Sequence, residues 1–306
     1  MHKFNLKGKV VDRMKGIEPE ADSAAQAGTQ GAGSGQPAGT PEVLRVAWRT
    51  DVGRLRKNNQ DAVIIGNGLL GVADGMGGHN GGEIASAGLR DGLLRETADM
   101  EPGADALKEA VLKVNFELWE QQEKDAALTG MGTTLTVLWP AGDEMLVAQV
   151  GDSRAYLIRG DEMKQVTDDH SMVADMVRSG VLTEEQAACH PMRNYITRAV
   201  GTDDNVEVDV KTVHRAHGDR WLVCSDGLHG QMDRAELERL ARIEDLEEAA
   251  DSLHAAALDN GGKDNISLVL IQDDGEYLPE PEKEEPIVVH DKIADPEPDG
   301  EGEAEA

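Results

Sequence analysis

The chain has 306 residues, 39% of them hydrophobic and 3% aromatic, and a formal net charge of −29 at neutral pH. That length suits one large domain or two ordinary ones, and the charge argues against nucleic acid or an anionic membrane surface as a partner. No window approaches the ~20 apolar residues of a membrane helix, and no apolar run follows the N-terminal lysines as a secretory signal would require, so a cytoplasmic monomer is expected.

Residues 1–41 open on a short basic piece, and Glu18 to Pro41 is then rich in Ala, Gly, Gln, Ser and Pro. Such a composition cannot bury enough apolar surface to offset ordering entropy, so residues 1–41 are expected to be a disordered extension. Residues 273–306 hold fourteen acids and two lysines, interspersed with proline, and residues 274–306 are expected to be a self-repelling disordered tail. One domain is expected between them, over residues 42–273. The two ends are expected to be dispensable for its intrinsic activity.

Within that body Val43 to Trp48 alternates as a strand should. Val63-Ile64-Ile65 and Leu69 to Ala73 flank Gly66-Asn67-Gly68 and predict a hairpin. Helical periodicity runs from Glu83 to about Thr97. It resumes from Ala104 to about Gln122, with Leu107, Val111, Val114 and Leu118 on one stripe. Thr133–Trp139, Met145–Val150 and Arg154–Arg159 predict further strands. Two short helices follow, over Ser171–Gly180 and Thr183–Ala188. Val206–Val213 and Trp221–Cys224 are strands, Arg234–Ile243 and Leu246–Ala257 are helices, and Ile266–Ile271 is the last strand. Hairpin-linked strands come in groups and so do helices, which favours an α+β fold of antiparallel sheets with helices outside.

Three apolar runs are punctuated by aspartate in a comparable way. Val72-Ala73 meets Asp74-Gly75, Val150-Gly151 meets Asp152-Ser153, and Val223-Cys224-Ser225 meets Asp226-Gly227. Asp264-Asn265 stands just before the last strand. One such Asp is ordinarily a turn or cap residue. Four in one fold predict convergence on one site, where carboxylates without a cation would repel and raise one another's pKa. All-oxygen donors select Mg²⁺ or Mn²⁺. The cysteines, Cys189 and Cys224, lack metal-ligand spacing and are expected to be structural thiols. Five glycines between Gly75 and Gly82, around His79, imply a tight loop or close backbone approach.

Further segments complete a pattern: Thr50-Asp51-Val52-Gly53-Arg54-Leu55-Arg56-Lys57-Asn58-Asn59-Gln60-Asp61, Gly132-Thr133-Thr134, Thr167-Asp168-Asp169-His170-Ser171 and Asn194–Gly201. With Ala73–Glu83, Val150–Arg154, Ser225–Leu228 and Asp264–Ser267, this ordered set resembles the metal-dependent protein phosphatases of the 2C type, in their compact bacterial form. The resemblance implies a central sandwich of two antiparallel sheets flanked by antiparallel helices, in four layers. It implies hydrolysis of phosphoserine and phosphothreonine in proteins by a hydroxide bridging two Mn²⁺ or Mg²⁺ ions, reversing the work of a Ser/Thr protein kinase.

By that resemblance Asp74 bridges the two ions, the Gly75 carbonyl binds one of them, and Asp226 and Asp264 complete the first ion's ligands. Asp61 matches the acidic position of the first motif, and Gln60 stands where the family often has Glu. Asp152 matches a third, weaker metal site. Arg56 matches the phosphate-binding arginine, whose planar fork suits two phosphate oxygens. His79 is placed to protonate the leaving alkoxide, with a structural role in the glycine loop as the alternative. Residues 171–201 match a mobile flap, where Met192, Arg193 and Tyr195 contact substrate or pack at the surface.

Overall fold

The computed structural model describes residues 30–35, 43–77 and 81–277. The chain begins with β1 (Gln30–Gly35) and β2 (Leu44–Asp51), then the hairpin of β3 (Asp61–Gly66) and β4 (Leu69–Met76). Two long helices, α1 (Gly81–Glu96) and α2 (Ala104–Lys124), lead into β5 (Gly132–Thr133), β6 (Leu135–Ala141), β7 (Glu144–Val150), β8 (Arg154–Arg159) and β9 (Glu162–Gln165). Short α3 (Met172–Arg178) and α4 (Glu184–Ala188) precede β10 (Asp209–His214) and β11 (Arg220–Cys224). The chain closes with α5 (Asp226–His229), α6 (Arg234–Ala241), α7 (Leu246–Asp259) and β12 (Ile266–Asp273).

The strands form two antiparallel sheets. One is ordered β1-β2-β12-β11-β8-β9, the other β10-β7-β6-β4-β3, with β5 added at the end of β4. Period-two alternation decides the layers. Val46, Val223, Val269 and Ile271 of the first sheet face Val72, Leu138 and Val147 of the second in a shared core. On the first sheet's outer face Leu222, Leu268 and Leu270 lie under Leu237, Leu253 and Ala257 of α6 and α7. On the second sheet's outer face Ile64, Leu69 and Val137 lie under Leu89, Leu93, Leu107 and Val111 of α1 and α2. Each such leucine or valine contributes about 1.5–3 kcal/mol on burial. The result is the four-layer sandwich.

Details differ from the sequence reading. Asp74 ends the apolar run but not the strand, because β4 continues with Gly75 opposite Thr133 and Met76 opposite Gly132. Residues 30–35, expected to lie in a linker, pair along β2 from Gln30 opposite Asp51 to Gly35 opposite Val46. Composition hid this strand, since QGAGSG has no apolar alternation. Gly33 lies so close to the Trp48 indole that a Cβ there would come within 2.6 Å of it. The C-terminal boundary also moves outward. The Asp274 N–H donates to the Val43 carbonyl at 2.9 Å, and the Tyr277 hydroxyl donates to Asp273 at 2.6 Å. The Arg215 guanidinium stacks 4.5 Å above the Tyr277 ring. The remainder of the expected extension and tail lies outside the described residues.

Candidate active site

Register brings the first two carboxylates together. Asp61 at the start of β3 stands directly opposite Asp74 in β4, an arrangement of like charges that destabilises a sheet by itself. Asp226 follows β11 and opens α5 behind Ser225, while Asp264 precedes the neighbouring β12. Asp152 follows β7. All five therefore arrive at one end of the sandwich. The Asp74 and Asp226 carboxyl groups lie against one another.

Without a cation these groups repel. Burial and then Asp226 and Asp264 push Asp61 up to about 7, against hydrogen bonds from Ser267 and Ser225. Asp152 is raised to about 7 by burial, Asp226 and Asp169. Asp226 is raised to about 6 by burial and Asp264. Asp74 is held well above its ordinary value by burial and then by Asp61, Asp226, Asp152 and Asp264. Asp61, Asp74, Asp226 and Asp264 are each partly exposed as residues, at the outer edge of a largely buried cluster. Within it Oδ1 of Asp61 and Oδ1 of Asp226 are buried without a hydrogen-bond partner.

Hard oxygen donors, mutual repulsion and two orphaned oxygens fit a divalent cation. Among the described residues no three or more such groups already stand as a ligating cluster. Local partners hold two of them: Asp264 Oδ2 accepts from Arg56 at 2.6 Å and Asp61 Oδ2 from Ser225 at 2.9 Å. The pKa shifts set a stability trend. The raised aspartates bind protons in the folded chain that the unfolded chain releases near 3.8. Their contribution to cation-free stability is thus greatest below about pH 4 and is lost as pH rises through about 7. In EDTA the melting temperature should fall between pH 5 and 7.5, Mn²⁺ should restore more at pH 7.5 than at pH 5, and Asp61→Asn should flatten the trend. A melting temperature in EDTA that rises across this range and is unaltered by Asp61→Asn would contradict the assignment.

Arg56 is 51% exposed and reaches the cluster edge through its bond to Asp264. Its loop is fastened by Asn265, which is 4% exposed. The Asn265 amide donates to the carbonyls of Val52 and Asn58 at 2.9 and 3.0 Å, and its oxygen accepts from Gln60 N–H at 2.8 Å. Gly53, at φ +76, lies against this loop so tightly that a Cβ would sit 2.1 Å from the Asp264 carbonyl oxygen. Gly75 is likewise needed for space. Its Cβ would meet the carbonyl oxygens of Gly82 at 2.1 Å and Gln60 at 2.4 Å, because the first turn of α1 crosses β4 there.

Asp74 is gripped by its backbone. The Thr134 N–H and Thr133 hydroxyl donate to its carbonyl at 2.8 and 3.0 Å, and the Thr134 hydroxyl accepts its N–H at 2.9 Å. These threonines, with Asn265 and Ser225, are positioning residues to which the sequence alone assigned no role. Their only signal was membership of the motifs, since hydrogen bonds across strands depend on register. His79 lies outside the described residues. Cys224 is buried and its thiol is pushed up to about 12 by burial, which fits a structural role; Cys189 is exposed.

The flap segment is closed at its base by bridges from Ser171 to Ile196 and from Thr133 to Val200. His170, 5% exposed, accepts the Gly151 N–H on Nδ1 and faces Asp209 with Nε2. Burial and then Arg198 lower its pKa. It ties the Asp152 turn to the flap as a neutral ring. Tyr195 at the flap surface is 61% exposed.

Known proteins share this fold. The protein phosphatase 2C family profile matches residues 54–270. The chain is 41% identical over 231 residues to the serine/threonine protein phosphatase PstP of Mycobacterium tuberculosis, covering 74% of this chain and 45% of that protein, so it spans less than half of that relative. It is 36% identical over 241 residues to the serine/threonine phosphatase stp of Listeria innocua, covering 75% of this chain and 96% of the relative. The crystal structure of the M. tuberculosis phosphatase PstP/Ppp superposes with a TM-score of 0.72 at 39% identity, covering 76% of this chain and 99% of that one. A structure of the PstP catalytic domain in complex with two manganese ions has a TM-score of 0.69 at 38% identity, covering 75% and 97%. Sequence and fold agree, and the chain belongs to the protein phosphatase 2C family.

Proposed function

We propose that this chain is a protein-serine/threonine phosphatase, hydrolysing phosphoserine and phosphothreonine esters with bound divalent cations, Mn²⁺ or Mg²⁺. The observation that carries the reading is the meeting of Asp61, Asp74 and Asp226, two of them with an orphaned buried oxygen, beside Arg56. Asp74 would be shared by two ions, with Asp226 and Asp264 on the first, Asp61 on the second and the Gly75 carbonyl on one of them, and Asp152 would hold a third, weaker ion. When bound, the ions supply Lewis acidity that makes hydroxide available at neutral pH and offset charge on the phosphoryl oxygens.

The chain's own groups do the rest. The Arg56 guanidinium, which reaches Asp264 at 2.6 Å, would hold two phosphoryl oxygens in its fork and orient the ester. Asn265 keeps that loop in place, so the fork meets the phosphate without a further ordering cost. His79, three residues beyond the end of β4 in the sequence, is the proposed proton donor to the departing serine or threonine oxygen. Partly exposed aspartates and a flap that presents Tyr195 to solvent suit a protein substrate, and phosphorylated proteins and their Ser/Thr kinases are the proposed partners. The test compares paired phosphothreonine and phosphotyrosine peptides across a Mn²⁺ titration. Turnover of the phosphothreonine peptide, lost in EDTA, is expected. Bound Mn²⁺ with no turnover on any phosphopeptide would make the chain a binding module instead.

A further inference from the structure

The apolar stripe of α2 is interrupted by two buried amides, Asn115 at 0% and Gln122 at 7% exposure. Apolar side chains of similar volume would pack there without losing hydration, so the amides need a reason in their partners. Asn115 accepts the Gly201 N–H at 2.7 Å and donates to the Asp203 carbonyl at 3.0 Å. Gln122 donates to the Gly201 carbonyl and accepts the Gly130 N–H at 3.0 Å. Both polar groups of Gly201 are thus taken by one helix. This residue has φ +87, and a Cβ on it would come within 3.1 Å of Leu118 Cβ, so the turn sits directly on α2.

The preceding residue, Val200, exchanges both backbone hydrogen bonds with Thr133, at 3.0 and 2.8 Å. Thr133 and Thr134 in turn hold both backbone polar groups of Asp74. Gln122 meanwhile holds Gly130, two residues before Gly132 at the other end of the same segment. The two amides therefore fasten the segment carrying Thr133 and Thr134 from both sides, and Val200 is also where the flap rejoins the body.

We propose that Asn115 and Gln122 are positioning residues that fix Asp74 and the flap exit as one unit, and so set the site's affinity for its divalent cation. This rests on the cation reading above, but binding alone decides it. The experiment strips the full chain with EDTA and titrates Mn²⁺, with free ion read by electron paramagnetic resonance. It compares Asn115→Leu and Gln122→Met, which keep volume and remove the hydrogen bonds, with Val111→Ala on the same stripe, which removes packing only. Residues that act on a ligand through a chain of contacts typically shift affinity by about 2- to 30-fold, so the Mn²⁺ dissociation constant should rise by at least about fourfold in the first two variants. Val111→Ala should lower the melting temperature and leave Mn²⁺ affinity within about twofold of the unmodified chain. Unchanged affinity in Asn115→Leu and Gln122→Met overturns the proposal, as does an equal loss in Val111→Ala. If the unmodified chain binds Mn²⁺ yet hydrolyses no phosphopeptide, the phosphatase reading fails while the positioning role is still decided by the titration.

Discussion

Asp226→Asn is expected to reduce phosphothreonine-peptide turnover by at least ~10³-fold while leaving the fold intact. The exchange keeps size and one acceptor oxygen and removes a charge. In the cation-free chain that charge is a burden, since burial and Asp264 already push Asp226 up to about 6. Melting temperature in EDTA should therefore hold or rise in the variant, and the stabilisation added by Mn²⁺ should shrink. A residue retained for packing would behave in the opposite way, losing stability in EDTA and keeping its rate. Steady-state kinetics and melting curves on the same preparation separate the two. A rate within tenfold of the unmodified chain would contradict the assignment.

Arg56→Ala is expected to lower kcat/KM on the same peptide by about 10²-fold, and Arg56→Lys to recover only a small part of it, because a point charge lacks the planar fork. Stability should hardly change. The Arg56–Asp264 pair joins side chains that are 51% and 25% exposed, and such surface pairs contribute about 0–1 kcal/mol. The loop keeps its shape through Asn265 and through the Arg54 N–H bond to the Gly262 carbonyl at 2.7 Å. Lysine restoring full kcat/KM would reduce Arg56 to a general positive charge near the aspartates.

The helices and the sandwich were legible because their signal is periodic burial. Leu107, Val111, Val114 and Leu118 are all at most 3% exposed, as the stripe on α2 required. The hairpin was legible because Asn67 at φ 50 and Gly68 at φ 79 supply the turn its strands need. The aspartates were legible as strand-end punctuation, although Asp74 sits within β4 instead of after it. What sequence left open depends on contacts between distant segments. The strand at Gln30–Gly35 forms through the fit of Gly33 to Trp48, and Asn115 and Gln122 look like breaks in a stripe until Gly201 lies against them. The lack of room for any side chain at Gly75 likewise needed α1 in place.

The central claim is that these aspartates form a cation site that hydrolyses phosphoesters, and counting bound ions during turnover tests it most directly. The full chain, stripped with EDTA, is titrated with Mn²⁺ while bound ion and phosphothreonine-peptide hydrolysis are followed in the same samples. Two tightly bound ions per chain are expected, with turnover rising as the second binds and both lost in Asp74→Asn. Turnover that proceeds in EDTA, or that persists in Asp74→Asn with Mn²⁺ binding unchanged, would contradict the account.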